Sequence, residues 1–456
     1  MSKPAIVVDS PAARTLANLL DQTSTLDTAL NAERAAWLES IRQAARNRLR
    51  HAALPTTRDE DWRFTNLKPL YDLSFQPSEA TLEAAQIQSF YIPEATGARL
   101  VFFNGKFAPH LSDLSELPAG IAVGSLAHLS EAEWQVARSH FTLDAMGQAD
   151  SFALLNAAQT GDMAVIRAAK NCIAAAPIHL LWVSSADSEP SVSYPRCLVV
   201  AEQSSAINVV EHFIGVGDRP YFANAVTEIA LAGNARVEHS KLLQDNSTSF
   251  NVARTTISQA RDSYYACHAI AIGAKLSRHS LTAEHRGPNA TTVLNGLTLA
   301  HDKQLADTHT SIDHAVPQGT SQQLHKCIIG DRARAVFNGR VIVRPDAQQI
   351  DSSQSSRNLL LSPKARVDTK PQLEIFADDV KCAHGATVSE LEANELFYLQ
   401  SRGLPHDKAQ QLLTYAFAAD IIDRVPVASV ADQLRQFVLA RSSSASRSGE
   451  DGLDRD

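Results

Sequence analysis

The sequence predicts a mainly β protein, a long β-solenoid body set between two helical segments. Three observations predict it. Helical periodicity fills much of the first hundred residues and returns after Gly385. Between them, from about residue 101 to 385, short Val/Ile/Leu/Thr runs are punctuated by Gly, Asn, Asp and Pro, as strands separated by turns are. Small residues also recur through that body at a loose interval, the signature of stacked repeats.

Taken in order, Leu30, Trp37, Ile41, Ala45 and Leu49 trace one face of an amphipathic helix that should stop before Pro55. The polar-aromatic segment PTTRDEDWRFTNL follows, with Trp62 and Phe64 placed either to anchor this region to a neighbouring unit or to fill local core. In the body, the runs LVFFNG, HLLWVS, LVVAEQ, INVVEHFIGV and RVIVR read as strands with no helices between them. Turns at Ala260, Ala274, Ala290 and Ala306 are spaced 14, 16 and 16 residues apart, and those at Ala333, Ala347 and Ala365 are spaced 14 and 18. A sandwich of ordinary hairpins stays open as the alternative, because the interval is irregular. After Gly385, Ala409, Leu412, Leu413, Ala416, Phe417 and Ile421 trace one helix face, and Val427, Val430, Leu434 and Phe437 trace another. The expected organisation is a helical domain at 1–100, the β body at 101–385, a helical domain at 386–441 and a disordered tail at 442–456, which has almost no apolar content.

Composition removes several function classes. The chain of 456 residues is 44% hydrophobic, and 42 Lys+Arg against 50 Asp+Glu give a net charge of −8, so no nucleic-acid partner is expected. The N-terminus has no apolar core of a secretory signal, and no apolar run approaches 18 residues, so no membrane partner is expected. Five scattered cysteines do not make a disulfide framework. These features predict a cytoplasmic protein.

Familiar catalytic signatures are missing. No G-x-x-x-x-G-K-[ST] cradle, H-E-x-x-H, C-x-x-C, G-x-S-x-G elbow or G-x-G-x-x-G turn occurs. What remains is a concentration of histidines, His268, His279, His285, His301, His309, His314 and His325, ahead of Cys382 and His384. Imidazole with thiolate suits iron, zinc or copper. The seven earlier histidines lack the ligand spacing of a closed site, so a hydrogen-bonded packing role is expected of each. Cys382 and His384 stand two apart, and residues i and i+2 of a strand share a face, so both could address one ion. A single thiolate and a single imidazole leave an ion half-coordinated, and the missing ligands would have to come from another chain.

The wording of several stretches resembles a known family. HTSIDH, SQQLHKCIIGDRARAVFNGRVIV, SSRNLLLSPKARVDTKPQLEIFADDVKCAHGATVSELE and LFYLQSRGLPHDKAQQLLTYAF, with PTTRDEDWRFTNL and VFFNGKFAPHLSDL upstream, resemble the SufB/SufD family, the scaffolds of the SUF iron–sulfur cluster assembly machinery. The resemblance spans about residues 50–440 and is strongest from Pro371 to Gly403. It favours the SufD branch: SufB-type chains carry an acidic E-H-E-A-type segment where this chain reads Cys382-Ala383-His384-Gly385-Ala386, and a cysteine within the run matching 355–362, where this chain has none. Ala383 stands where many relatives have Ser.

The resemblance implies a right-handed parallel β-helix flanked by N-terminal and C-terminal helical domains. It implies a heterodimer with SufB through the β-helix edge, docking of the ATPase SufC on the C-terminal helical domain, and a homodimer of the free chain. It further implies no catalytic residue in this chain, no tightly bound cofactor in isolation, and transient iron or an iron–sulfur cluster in the complex. His384 is implied as a ligand at the SufB–SufD interface, and Cys382 as a second ligand or a shielded interface thiol. Two other readings are a metal-free structural adaptor and a carbohydrate-active β-helix enzyme. The latter needs clustered carboxylates, whereas Asp378 and Asp379 are neighbours that a strand would turn to opposite faces.

Overall fold

The computed structural model describes residues 10–22, 29–78, 80–141 and 150–441; the expected tail at 442–456 lies outside them. Two ten-stranded sheets form the body, and from Arg196 onward successive strands of the chain pass alternately between them. The first sheet stacks Ile178–Ser185, Ala206–Val216, Arg236–Gln244, Tyr264–Ala271, Thr291–Ala300, Thr320–Ile329, Ile350–Leu360 and Val380–Glu390, all parallel. The second stacks Arg196–Ala201, Tyr221–Leu231, Phe250–Gln259, Leu276–His285, Leu305–His314, Arg334–Val343 and Arg366–Ile375 in the same way. This is a parallel β-solenoid, as the sequence predicts, and a sandwich of hairpins is excluded by the parallel pairing.

Register explains the interval read from the sequence. Ala206 lies beside Arg236, Arg236 beside Tyr264, Tyr264 beside Thr291, Thr291 beside Thr320, Thr320 beside Asp351 and Asp351 beside Lys381, a turn of 27 to 31 residues. The 14–18-residue spacing of the alanines is therefore half a turn, the step from one sheet to the other. The corners have a chemical reason. Ser204, Asn234, Asp262, Asn289, Gln318 and Gln349 all adopt positive φ between 57° and 64°, one per turn. Asn and Asp, which hold three of these six positions, tolerate that left-handed region better than other side chains. They also stack: Asn234 Nδ2 donates to Ser204 Oγ at 3.1 Å, and Asn289 Nδ2 to Asp262 Oδ1 at 3.0 Å. Ala235, Ala290, Ala333 and Ala347 are fully buried at such corners, where a larger side chain would not fit.

At the N-terminal side, Pro11–Asp21 is capped by Ser10 and Ala32–Leu49 by Asn31, whose side chains accept from the first-turn amides. Ile41, Ala45 and Leu49 are buried as the periodicity predicts, and Trp37 packs edge-on against Trp134. The structure differs from the sequence reading after residue 130. Two helices, Glu131–His140 and Ser151–Gln159, lie in the stretch read as strands alone. Ser130 and Glu133 form a capping box, and Leu154, Leu155, Ala157 and Ala158 complete the N-terminal helical core. The segment around Trp62 does anchor to a neighbour: Trp62 covers the Arg278 guanidinium at 3.8 Å, and Arg278 pairs with the buried Asp307 carboxylate, which also accepts from Thr65.

His406–Ile422 and Ala428–Arg441 lie on the outer face of the first sheet, where Ile421, Ile422, Val430, Leu434 and Val438 pack with Ile270, Leu297, Ile328 and Leu359. The buried face of His406–Ile422 is Ala409, Gln411, Thr414, Ala418, Ile421 and Ile422. This corrects the sequence reading, in which Leu412 and Ala416 belonged to that face; both are exposed. No helix of the described residues is long and apolar enough to cross a membrane.

Candidate metal-binding site at the open end of the solenoid

Val380–Glu390 is the last strand of the first sheet. It bonds on one side to Ile350–Leu360, and its other edge is unpaired among the described residues. Arg366–Ile375 ends the second sheet beside it. The last turn is thus uncapped, and Ile375, Phe376 and Val388 expose apolar surface there, Phe376 to 62%. A bare parallel edge with apolar side chains is a template for pairing with another chain.

Cys382 and His384 sit on this strand, beside Ser352 and Gln354 of the preceding turn. Ser352 and Gln354 are buried inward-facing residues, so register puts Cys382 and His384 on the inward face of a turn on which no further strand stacks among the described residues. Two residues along a strand is a rise of about 6.6 Å, close enough for two side chains that lean together to reach one ion. Their environments differ. Cys382 is half-buried against Val341, Val343, Ala347, Ile350 and Ala377, whereas His384 is exposed. Burial pushes the Cys382 thiol up, with the Asp351 carboxylate adding to the shift, so it is protonated at neutral pH. A metal would have to displace that proton, which makes binding through this sulfur pH-dependent. Neither residue belongs to a group of three convergent ligands among the described residues; the one such group is His301, Asp302 and Asp331, at a different corner of the body.

The structure does not bring the remaining histidines to Cys382 and His384. His279 bonds Thr255 at 2.9 Å, His285 bonds Thr292 at 2.7 Å, His314 bonds Ser321 at 2.9 Å and His325 bonds Thr298 at 3.2 Å. His268 faces Glu238, His309 faces Asp307 and His301 faces Asp302. Each has a polar partner, as a packing role requires, and His301 in addition converges with Asp302 and Asp331. Sequence reasoning missed a buried polar network inside the solenoid. Glu211 accepts from Lys241 Nζ at 2.6 Å, Thr227 Oγ1 at 2.8 Å and Trp182 Nε1 at 3.2 Å, with His239 Nε2 at 3.3 Å. Its only sequence signal is spacing: Glu211 and Lys241 stand side by side one full turn apart.

The chain matches two family profiles in tandem. Residues 13–180 match the SufBD protein N-terminal region, and residues 183–417 match the SufBD core domain of the SUF iron–sulfur cluster assembly system. The second match alone covers more than half of the chain. The chain belongs to the SufBD family. Among its relatives, an iron–sulfur cluster assembly SufBD family protein of Synechocystis is 40% identical over 414 residues, 89% of this chain and 91% of the relative. The iron–sulfur cluster assembly protein SufD of Escherichia coli is 33% identical over 397 residues, 86% of this chain and 89% of that one. SufD of Bacillus subtilis is 26% identical over 411 residues, covering 88% and 92%. As a SufBD protein the chain is an iron–sulfur assembly scaffold, and the family's core-domain match takes in most of the solenoid together with Ala393–Ser401 and much of His406–Ile422.

Proposed function

We propose that this SufBD protein acts as the SufD-type subunit of a mixed assembly, pairing with SufB through its uncapped last turn and receiving the ATPase SufC on its C-terminal helices. It has no catalytic role of its own in this reading. The observation that carries it is the placement of Cys382 and His384 on the exposed end strand: a half-set of ligands at an edge built to be completed by another chain. Iron or a nascent cluster is the cargo. His384 supplies an imidazole nitrogen, Cys382 a thiolate once its proton leaves, and the partner the remaining donors. Such a site is protected from water and oxygen when the interface closes and loads when it opens. Support for ATPase docking comes from Phe397, Tyr398 and Leu412, exposed apolar side chains on the packed pair Ala393–Ser401 and His406–Ile422, at 72%, 57% and 44%.

The test is anaerobic co-expression with SufB and SufC, followed by size-exclusion chromatography with iron and sulfide analysis. A stable mixed complex that acquires cluster is expected. His384→Ala should keep the complex but lower its cluster content several-fold. An unchanged iron and sulfide yield removes His384 from the mechanism, and elution of the chain alone overturns the assembly itself.

A further inference from the structure

A second site lies where the C-terminal helices meet the corner of the solenoid, and neither Cys382 nor His384 lines it. A cavity of about 890 Å³ opens there, within the size range of small-molecule sites and at the kind of inter-element boundary where they are found. Its inner wall is apolar, formed by Leu299, Ile328, Leu361 and Val438. Leu299, Ile328 and Val438 are buried by the surrounding packing, so this wall belongs to a built concavity.

The polar groups of the cavity define what it can hold. Lys275, Lys303 and Arg332 line it, and none has a carboxylate partner among the described residues. Asp302 and Asp331 also line it, but both are engaged: Asp302 Oδ2 is 2.7 Å from His301 Nδ1, and Asp331 Oδ2 accepts the Asp302 amide at 2.9 Å. Both keep their charge, so three cations stand against two carboxylates and the lining is net positive. The independent observation is Thr414. It is 98% buried on the helix face toward the solenoid, it lines the cavity, and its Oγ1 has no hydrogen-bond partner among the described residues. A helical threonine ordinarily returns its hydroxyl to a carbonyl of the preceding turn. A buried polar group left unpaired is costly and calls for a partner.

We infer that this cavity binds a small organic anion, with an aromatic or aliphatic body against Leu299, Ile328 and Val438 and an acidic group, phosphate, sulfonate or carboxylate, facing Lys275, Lys303 and Arg332. Thr414 donates to or accepts from the ligand at its buried end. Occupancy bridges the solenoid and the C-terminal helices, so the ligand reports to the surface on which the proposed partner would dock, although the site itself does not depend on that partner.

The experiment titrates the full chain with 8-anilinonaphthalene-1-sulfonate and, in parallel, with its uncharged analogue N-phenyl-1-naphthylamine, following fluorescence. The sulfonate should bind at one saturable site, at least tenfold more tightly than the neutral analogue. Lys303→Glu with Arg332→Glu, both at exposed positions, should weaken the sulfonate at least tenfold and leave the melting temperature unchanged. Thr414→Val should weaken it by about fivefold, one neutral hydrogen bond, while the free protein melts at the same or a higher temperature because the unpaired hydroxyl is gone. Phe376→Ser and Phe397→Ser remove exposed apolar surface outside the cavity and should leave the affinity of the isolated chain for both probes unchanged. Equal affinity for the two probes overturns the inference, as does binding that survives the double charge reversal or is lost in the phenylalanine variants.

Discussion

Lys326 Nζ lies 3.1 Å from an Asp420 carboxylate oxygen and donates to the Phe417 carbonyl at 2.9 Å. Lys326 belongs to the solenoid strand Thr320–Ile329 and Asp420 to the helix His406–Ile422, so this pair fastens the C-terminal helices to the body. Lys326 is almost completely buried, whereas Asp420 keeps solvent contact. Burial alone would push the Asp420 carboxyl up, but hydrogen bonds from Arg424 and Lys326 outweigh it and hold the group below its ordinary value. Lys326→Met keeps the aliphatic stem and removes the charge. It should cost about 1–2 kcal/mol, less than a fully buried pair because Asp420 remains wet. Hydrogen exchange checks where the loss falls: amides of 406–422 should exchange faster while the central strands do not change. Uniform acceleration of both would show that the fastening is not local.

Glu211 and Lys241 are tied more deeply. Burial would raise the Glu211 carboxyl, yet Lys241 beside it and the hydrogen bond from His239 keep it well below the usual carboxylate range. Glu211→Leu strands the ammonium of Lys241 inside the solenoid and should cost about 3–5 kcal/mol. Glu211→Leu with Lys241→Met should recover much of that loss, because two apolar side chains leave no unpaired charge. The midpoint of denaturant unfolding measures both. A double variant less stable than the single one would contradict this account of the pair.

Four buried imidazoles predict acid lability. Burial pushes His285 down to about 3, with His314 nearby adding to it, and burial likewise pushes His212, His314 and His325 down to about 4. The ordinary imidazole value is about 6.5. Since the folded values are the lower ones, protons bind the unfolded chain first. The contribution of these groups is present above pH 6.5 and is lost as the pH falls through the folded values, at about 1.4 kcal/mol for each unit of depression. Melting temperature should therefore fall steadily between pH 6.5 and 4.5. A flat profile there would show that these side chains take up protons without opening the body.

Gly319 sits at a corner just after Gln318, which has a positive φ of 64°. A Cβ at Gly319 would come within 2.5 Å of His314 Nδ1 and 2.7 Å of His285 Nδ1. Those two rings are packed edge to face, 4.5 Å between centroids, and cannot both retreat. Gly319→Ala should cost about 1–3 kcal/mol of overpacking. Gly330 offers the comparison, since a Cβ there meets nothing within 4 Å. Gly330→Ala should be neutral or stabilise by up to about 1 kcal/mol through the unfolded chain. Paired thermal melts distinguish the positions, and similar values for both would remove the histidine pair as the reason for a glycine at 319.

Much of this architecture is legible without coordinates because it is carried by neighbouring residues. The stripe from Ile41 to Leu49, the half-turn spacing of alanines at the corners and the shared face of Cys382 and His384 all follow from the periods of helix and strand, which a contiguous stretch expresses on its own. The capped helices Glu131–His140 and Ser151–Gln159 were missed because they are short and interrupt a β context, although the Ser130–Glu133 capping box is written in the chain. Other features depend on distances that accumulate. Glu211 meets Lys241, and Arg278 meets Trp62, only because turns of 27 to 31 residues and intervening loops add up to a particular register. The helix His406–Ile422 carries apolar residues on more than one side, so periodicity alone could not say which would bury. Packing chose Thr414 and Ala418 against the solenoid and left Leu412 outside. Local patterns settle what each segment becomes. Which side chains meet depends on how the turns stack, because a pairing slip of one residue would send every inward side chain to the opposite face.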